Sequence, residues 1–271
     1  MINRLELRNF RCFRQLDISF KRFNVVVGES ASGKTALMEA LFLLGGGSPE
    51  IYFRLRNWRG FSRTLNLTGT RESYQSLFRD LFYNFDQNSG AILRSQDSSA
   101  GSRQLEIAYG DLKEYGLDLQ GPEPHAFTLS PLNFKWVIEG RVHNTSIFFK
   151  EGRFTIEGSA PVAALVYYNS VNATAFESSS AFSSLSRRFR STSLVEVIAA
   201  VYPQVKDVTL ELIGGDPTLC VSTELEERLP IGDLSGGVTK FVSIALGILA
   251  NPGGAVIAER VNDFETGGVR V

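Results

Sequence analysis

Gly28-Glu29-Ser30-Ala31-Ser32-Gly33-Lys34-Thr35 is the stretch on which the reading of this 271-residue chain turns. It fits G-x-x-x-x-G-K-[ST] in full. Glycines at both ends let the backbone wrap closely around phosphate oxygens, and N–H groups at the start of a following helix point at the anion. Lys34 would reach the outer phosphates and the Thr35 hydroxyl would ligate Mg²⁺. The flanks suit this. Phe23-Asn24-Val25-Val26-Val27 is a short β-branched run that predicts a buried parallel strand, and Thr35–Leu44 is rich in helix formers and stopped by Gly45-Gly46-Gly47.

Working outward, Ile2, Leu5 and Leu7, then Leu16, Ile18 and Phe20, alternate with polar residues, which predicts two strands. Ile51 to Thr70 is aromatic and basic without a clear period. Glu72 to Phe85 has apolar residues at helical spacing. Gln87 to Gly101 is polar and reads as loop. Leu105–Tyr109, Ala126–Leu129, Phe134–Ile138, Ser146–Phe149 and Phe154–Ile156 read as strands of an antiparallel β lobe. Pro161–Asn169 predicts one more strand, leading into a Ser-rich stretch. A helix over Leu194–Val201, a hairpin over Val208–Ile213 and Thr218–Ser222, a helix over Gly236–Ala250 and a strand over Ala255–Ala258 complete the chain.

Composition sets the frame. Hydrophobic residues make up 43% and charged residues 21%, an ordinary globular balance that excludes disorder. Lys+Arg is 28 against Asp+Glu 29, so a strongly basic nucleic-acid coat is not expected. Two distant cysteines, Cys12 and Cys220, make no disulfide framework and fit a reducing compartment. With only His125 and His143 beside them, no zinc site of the usual spacing can be built. No apolar run is long enough to cross a membrane, and the N-terminus lacks a signal-peptide core, so the expectation is a cytoplasmic protein.

A second signal is Leu234-Ser235-Gly236-Gly237. Four small residues recur by chance, but here they open a helix that leads through Pro252 into an apolar strand with an acid at its end, Glu259. With these motifs in this order, the chain resembles the ABC-type AAA ATPase domains of the RecF/SMC/OLD-like branch. Leu5-Glu6-Leu7-Arg8-Asn9-Phe10-Arg11-Cys12-Phe13 is similar to the opening strand of that branch, Glu29-Ser30-Ala31-Ser32 stands where the branch often has E-N-G-S, and Leu81–Asp86 and Leu229-Pro230 also resemble it.

The resemblance implies an α/β fold: a P-loop NTPase core of ABC-type head, with an antiparallel β lobe and a helical lobe. It implies one head over residues 1–271, with nucleotide-binding core segments at 1–50 and 229–271 and the lobes inserted at 51–228. It further implies ATP with Mg²⁺, held by Gly28, Glu29, Ser30, Ala31, Ser32, Gly33, Lys34 and Thr35. Arg11 would be a phosphate-sensing residue, its alternative being an arginine simply solvated between strands. Two heads would pair, so that Ser235, Gly236 and Gly237 of one copy meet the γ-phosphate held by the other.

The pattern breaks at the next motif, where the family has Asp-Glu. Here Glu259-Arg260 follows Ala255–Ala258, and in either register one acid is missing. Glu259 is then the remaining candidate for Mg²⁺ and for catalysis; an Arg cannot accept a proton. The chain ends at Val271, before the family's switch histidine and further strands, and reads as a C-terminally truncated head without room for a nuclease domain or coiled-coil arms. Three functions stay open: a slow ATPase, a non-catalytic ATP-dependent switch acting on a partner such as a defence or toxin–antitoxin effector, and a P-loop kinase with Arg187, Arg188 and Arg190 as lid arginines. The basic aromatic stretch Tyr52–Arg59 is either a nucleic-acid contact or a lobe surface with buried aromatics.

Overall fold

The protein is described from a computed structural model that covers residues 2–61, 71–98, 101–110, 130–150, 153–163, 165–168, 175–188, 190–252 and 254–258. The expected strand at Ala126–Leu129, His125 and the Glu259-Arg260 pair lie outside these residues. The chain divides into two units, Met1–Ala163 and Ala164–Val271.

The first unit is built on an antiparallel seven-stranded sheet in the order β2-β1-β3-β4-β5-β6-β7. Its strands are β1 (Ile2–Phe10), β2 (Phe13–Ser19), β3 (Ala91–Asp97), β4 (Gly101–Tyr109), β5 (Leu132–Ile138), β6 (Arg141–Lys150) and β7 (Arg153–Glu157). The alternation expected of a half-buried sheet is carried through, with Leu5, Leu7, Leu93, Leu105, Ile107, Leu132, Phe134 and Trp136 fully buried on one face. The other face is laced by polar pairs such as Arg4 with Asp17 and Lys135 with Glu106. The sheet runs across residue 51, so the two N-terminal strands and the β lobe form one continuous layer.

Three helices cover the apolar face: α1 (Lys34–Gly45), α2 (Glu50–Trp58) and α3 (Arg71–Phe78). Between them lies an aromatic cluster in which Tyr52, Tyr74, Phe78, Phe149 and Phe154 meet at centroid distances of 5.2–6.3 Å. Such pairs add to the area they bury. Burial pushes the Tyr52 and Tyr74 phenols up, so both stay neutral hydrogen-bonding groups. Arg103 on β4 pins the end of α1 by donating to Leu44 O (2.5 Å), Gly46 O (2.6 Å) and Pro161 O. Burial lowers its pKa to about 10, which leaves the guanidinium charged at neutral pH beside the carbonyls of a helix C-terminus.

The second unit carries α4 (Ala175–Arg187), α5 (Ser191–Ala199) and α6 (Gly236–Ala250), and an antiparallel sheet of β9 (Asp207–Ile213), β10 (Asp216–Ser222) and the short β11 (Leu229–Pro230). Strands β8 (Leu165–Tyr168) and β12 (Ala255–Ala258) pair in parallel. One core joins Phe182, Leu185, Leu194, Ile198, Val208, Leu219, Val221, Val242 and Leu246.

Three expectations need correction. The segment Phe23–Val27 is not a buried strand: it has no strand partner among the described residues, and Phe23, Val25 and Val27 are 82%, 69% and 83% exposed. Asn24 instead closes a local turn, accepting from Lys21 N (2.9 Å) and donating to Lys21 O (2.7 Å), which competes with a ladder. The polar stretch after Gln87 holds β3, one of the inner strands of the sheet; its alternation of Ala91, Leu93 and Ser95 inward is weakly apolar, and pairing with β1 and β4 fixes it. The helix expected to run to Phe85 ends at Phe78 and gives way to two single 3₁₀ turns separated by the extended Phe82 (φ −105°, ψ 140°), with Asn84 and Phe85 at positive φ in the second.

A close approach of backbones at Gly47 fixes the exit from α1. Ala160 N donates to Gly47 O at 2.7 Å, and a Cβ on Gly47 would stand 2.0 Å from Ala160 O. Gly47→Ala is expected to destabilise the protein by about 1–3 kcal/mol, the cost of overpacking. Urea denaturation measures it; an unchanged midpoint would show that this contact is slack.

Candidate functional site: a phosphate-binding loop and a helix-opening signature

The loop after the Phe23–Val27 segment turns sharply. Ser32 N donates to Glu29 O at 3.2 Å, Ala31 has φ 63° and Gly33 has φ 96°. Gly33 serves two needs. It takes the left-handed conformation, and it lets the loop lie against the turn between β1 and β2, where a Cβ would stand 2.8 Å from both Cys12 Sγ and Phe13 Cζ. At Gly28 a Cβ would stand 2.8 Å from Ser32 Oγ, so the loop is closed tightly on itself.

Lys34 folds back over this cradle. Its Nζ donates to Gly28 O and Glu29 O, both at 2.7 Å, and lies 3.4 Å from Ser32 Oγ. Helix α1 begins at Lys34 with Gly33 before it, no side-chain cap and no acid in its first turn. A helix start without a side-chain cap or an acid of its own is a setting that suits an anion. Gly28 to Ser32 are exposed, and Gly33, Lys34 and Thr35 are half-buried. A bare, glycine-lined concavity with a cation across it and N–H groups beneath is chemistry for a polyanion. A hard cation bound with that anion would find an oxygen ligand in the Thr35 hydroxyl; the second oxygen ligand considered, Glu259, lies outside the described residues.

Arg11 sits in the turn before this loop, at φ 53°, and only 4% of its side chain is exposed. Its guanidinium is neither solvated nor open to the loop. It pairs with Asp80 and lies 3.0 Å from Glu39 Oε2, close enough for an ion pair though not aligned as a hydrogen bond. Glu39, on α1, is 2% exposed and also receives two bonds from Arg59, at 2.6 and 2.7 Å. The sequence reading missed Glu39 and Asp80. The available signal was an acid in the middle of an otherwise apolar helix.

The second motif lies in the other unit. Ser235, at φ −59° and ψ 147°, precedes α6, and Ser235 and Gly236 are exposed while Gly237 is half-buried. Thr239 ties the entry down, its N donating to Ser235 O (3.1 Å) and its hydroxyl to Ile231 O (2.9 Å). This helix start too has no side-chain cap and no first-turn acid.

The remaining candidates are spent on structure. In the Tyr52–Arg59 stretch, Arg54 lies over the Phe42 and Trp58 rings, Arg56 over Phe61, and Arg59 is on Glu39, while Tyr52 and Leu55 are buried. That arrangement matches the lobe-surface reading. Arg187 and Arg188 close α4, and Arg188 Nη1 donates to Ala250 O at the end of α6 (3.4 Å). Among the described residues no helix is long and apolar enough to cross a membrane.

A glycine-closed phosphate cradle at the start of a helix, beside a mixed α/β unit, defines a P-loop protein. Residues 1–190 match the family model described as AAA ATPase domain, and the chain belongs to that family. It is 31% identical to the DNA replication and repair protein RecF of Psychromonas ingrahamii over 160 residues, which are 55% of this chain and 41% of that protein. A shorter match to RecF of Oceanobacillus iheyensis is 52% identical over 44 residues, 16% of this chain and 12% of the relative. The chain thus spans well under half the length of these relatives. Among solved structures, the Smc head domain from Pyrococcus furiosus, bound to the C-terminal domain of ScpA, is 13% identical with a TM-score of 0.43, over 92% of this chain and 78% of that one. The chain is thus a P-loop ATPase domain related to RecF.

Proposed function

We propose that this chain is an ATP-binding head that holds ATP·Mg²⁺ on the loop Gly28–Thr35 and pairs with a second copy through Ser235, Gly236 and Gly237. The observation that carries this reading is Lys34 folded across the glycine-closed loop, 2.7 Å from the Gly28 and Glu29 carbonyls. That position holds the ammonium over the cradle before any anion arrives. The exposed, uncapped start of α6 supports the pairing, since its free N–H groups and the Ser235 hydroxyl suit a phosphate presented from outside. In this reading 1–50 and 229–271 supply the nucleotide-binding segments and 51–228 the lobes.

Bound Mg²⁺ would neutralise phosphate charge and polarise the transferred phosphoryl group. Thr35 would hold it, with Glu259 as the second ligand or as the acid that orients water. The Glu259-Arg260 pair supplies one acid where the family has two, which favours slow hydrolysis. An ATP-dependent switch that acts on a partner protein without turnover is the second reading, and the same missing acid supports it. General-base positioning is worth about 10²–10⁴-fold in rate.

Three outcomes test this. Lys34→Ala is expected to weaken ATP·Mg²⁺ binding at least about tenfold, the 1.4 kcal/mol or more of a charge-assisted contact; calorimetry showing equal affinity would remove the loop assignment. Ser235→Arg is expected to leave ATP binding in the single head intact and to abolish ATP-dependent dimers in light scattering; a wild-type chain that stays monomeric at saturating ATP would end the pairing proposal. Phosphate release by the wild-type protein is expected to be slow or absent. Fast release that disappears in Lys34→Ala would overturn both the slow-hydrolysis and the switch readings.

A further inference from the structure

Among the described residues the Glu39 carboxylate is the least exposed charge in the first unit, and it has no part in the phosphate chemistry above. It stands on α1, the helix that the phosphate loop opens, five residues beyond Lys34. A buried carboxylate needs partners, and Glu39 takes them from two different elements. Arg59, at the end of α2, binds it with both Nε (2.6 Å) and Nη2 (2.7 Å), and Arg11, in the turn between β1 and β2, brings Nε to 3.0 Å.

That turn is itself tightly held on the far side. Arg11 pairs with Asp80 and donates from its backbone N to Leu81 O (3.0 Å), and Asn9 Nδ2 donates to Gly90 O (2.6 Å) and Asp86 O (3.1 Å). Asn9 and Arg11 both keep positive φ, 50° and 53°, a conformation that must be imposed by such partners. On its near side the same turn presents Cys12 and Phe13 to Gly33, leaving no room for a Cβ. The phosphate loop is thus backed by a turn whose arginine is anchored on the loop's own helix.

We propose that Glu39 is a positioning residue for the phosphate loop, clamping α1 to the β1–β2 turn through Arg11 and to α2 through Arg59, so that the loop keeps its closed shape before nucleotide binds. Its consequence for nucleotide affinity rests on the reading of Gly28–Thr35 given above; its consequence for loop order does not. Arg11 acts within this clamp, through its carboxylate partners.

The test uses the full chain with Glu39→Gln, Arg59→Met, the double variant and Arg59→Lys, beside Lys34→Ala. Amide hydrogen exchange is followed without nucleotide, and ATP·Mg²⁺ affinity by calorimetry. In Glu39→Gln and Arg59→Met, exchange of the Ser32 and Leu37 amides, which bond Glu29 O and Gly33 O, is expected to rise at least about tenfold while β3, β4 and β5 exchange as in the wild type, and ATP affinity to fall about tenfold, the effect of loosening a supporting contact behind a binding site. The double variant should be no worse than the more affected single one, and Arg59→Lys should restore part of the order. If Glu39→Gln does not fold, Arg59→Met decides, since Arg59 is one-third exposed and its loss leaves Arg11 on the carboxylate. Exchange at Ser32 and Leu37 that stays at the wild-type rate overturns the proposal, as does a rise spread evenly over the whole unit. Loosened exchange together with unchanged ATP affinity in Lys34→Ala would leave the clamp standing and remove the loop's assigned ligand; the opposite pair of results would do the reverse.

Discussion

A single buried carboxylate organises the first unit. Glu39 lies on a helix whose other inward residues, Leu37, Ala40, Leu43 and Leu44, are apolar, so its charge is removed from water and must be matched within the protein. Two arginines from separate elements meet it, and each brings its own element with it. Leaving such a charge buried with no partner at all costs about 3–5 kcal/mol, and two arginines share the task of preventing it. That penalty ties α1, α2 and the β1–β2 turn together more specifically than apolar contact does, since apolar contact has no preferred direction.

At its other end α1 is held by Arg103 from β4 through three carbonyls, and its exit is fixed by the contact of Gly47 with Ala160. The helix is therefore constrained at its middle and at its C-terminus by polar geometry and along its length by the sheet. Its N-terminus follows directly on the glycine-closed loop. Among the described residues no side chain caps that helix start, and the lysine that would meet an anion is folded onto the loop's own carbonyls.

The second unit repeats the device in a simpler form. Helix α6 is packed along Val238, Val242, Ala245 and Leu246, and Thr239 secures its first turn to Ile231 and Ser235, yet its start is again uncapped and exposed. Two helix N-termini thus lack a side-chain cap, one behind a glycine-rich loop and one behind Leu234-Ser235. The match to the AAA ATPase domain family spans residues 1–190 and takes in the first of these starts.

The sequence by itself determined the glycine-bounded loop before α1, the helices α1 and α6, the antiparallel strands β4 to β7 and the family. Each of those is written locally, in the spacing of Gly28, Gly33 and Lys34, in strict alternation such as that of β4 and β5, or in the formers and breakers that bound α1 and α6. Only the tertiary structure decided the rest. Strand β3 is paired on both sides although its residues are largely polar, Phe23, Val25 and Val27 are exposed although they are apolar, and the arginines of Tyr52–Arg59 lie over aromatic rings or on Glu39. Glu39 reads in sequence as one acid on a helix. Its role depends on Arg11 and Arg59 reaching it from elements distant in the chain, and the direction of a long side chain toward such a partner is set by folding, not by any local pattern.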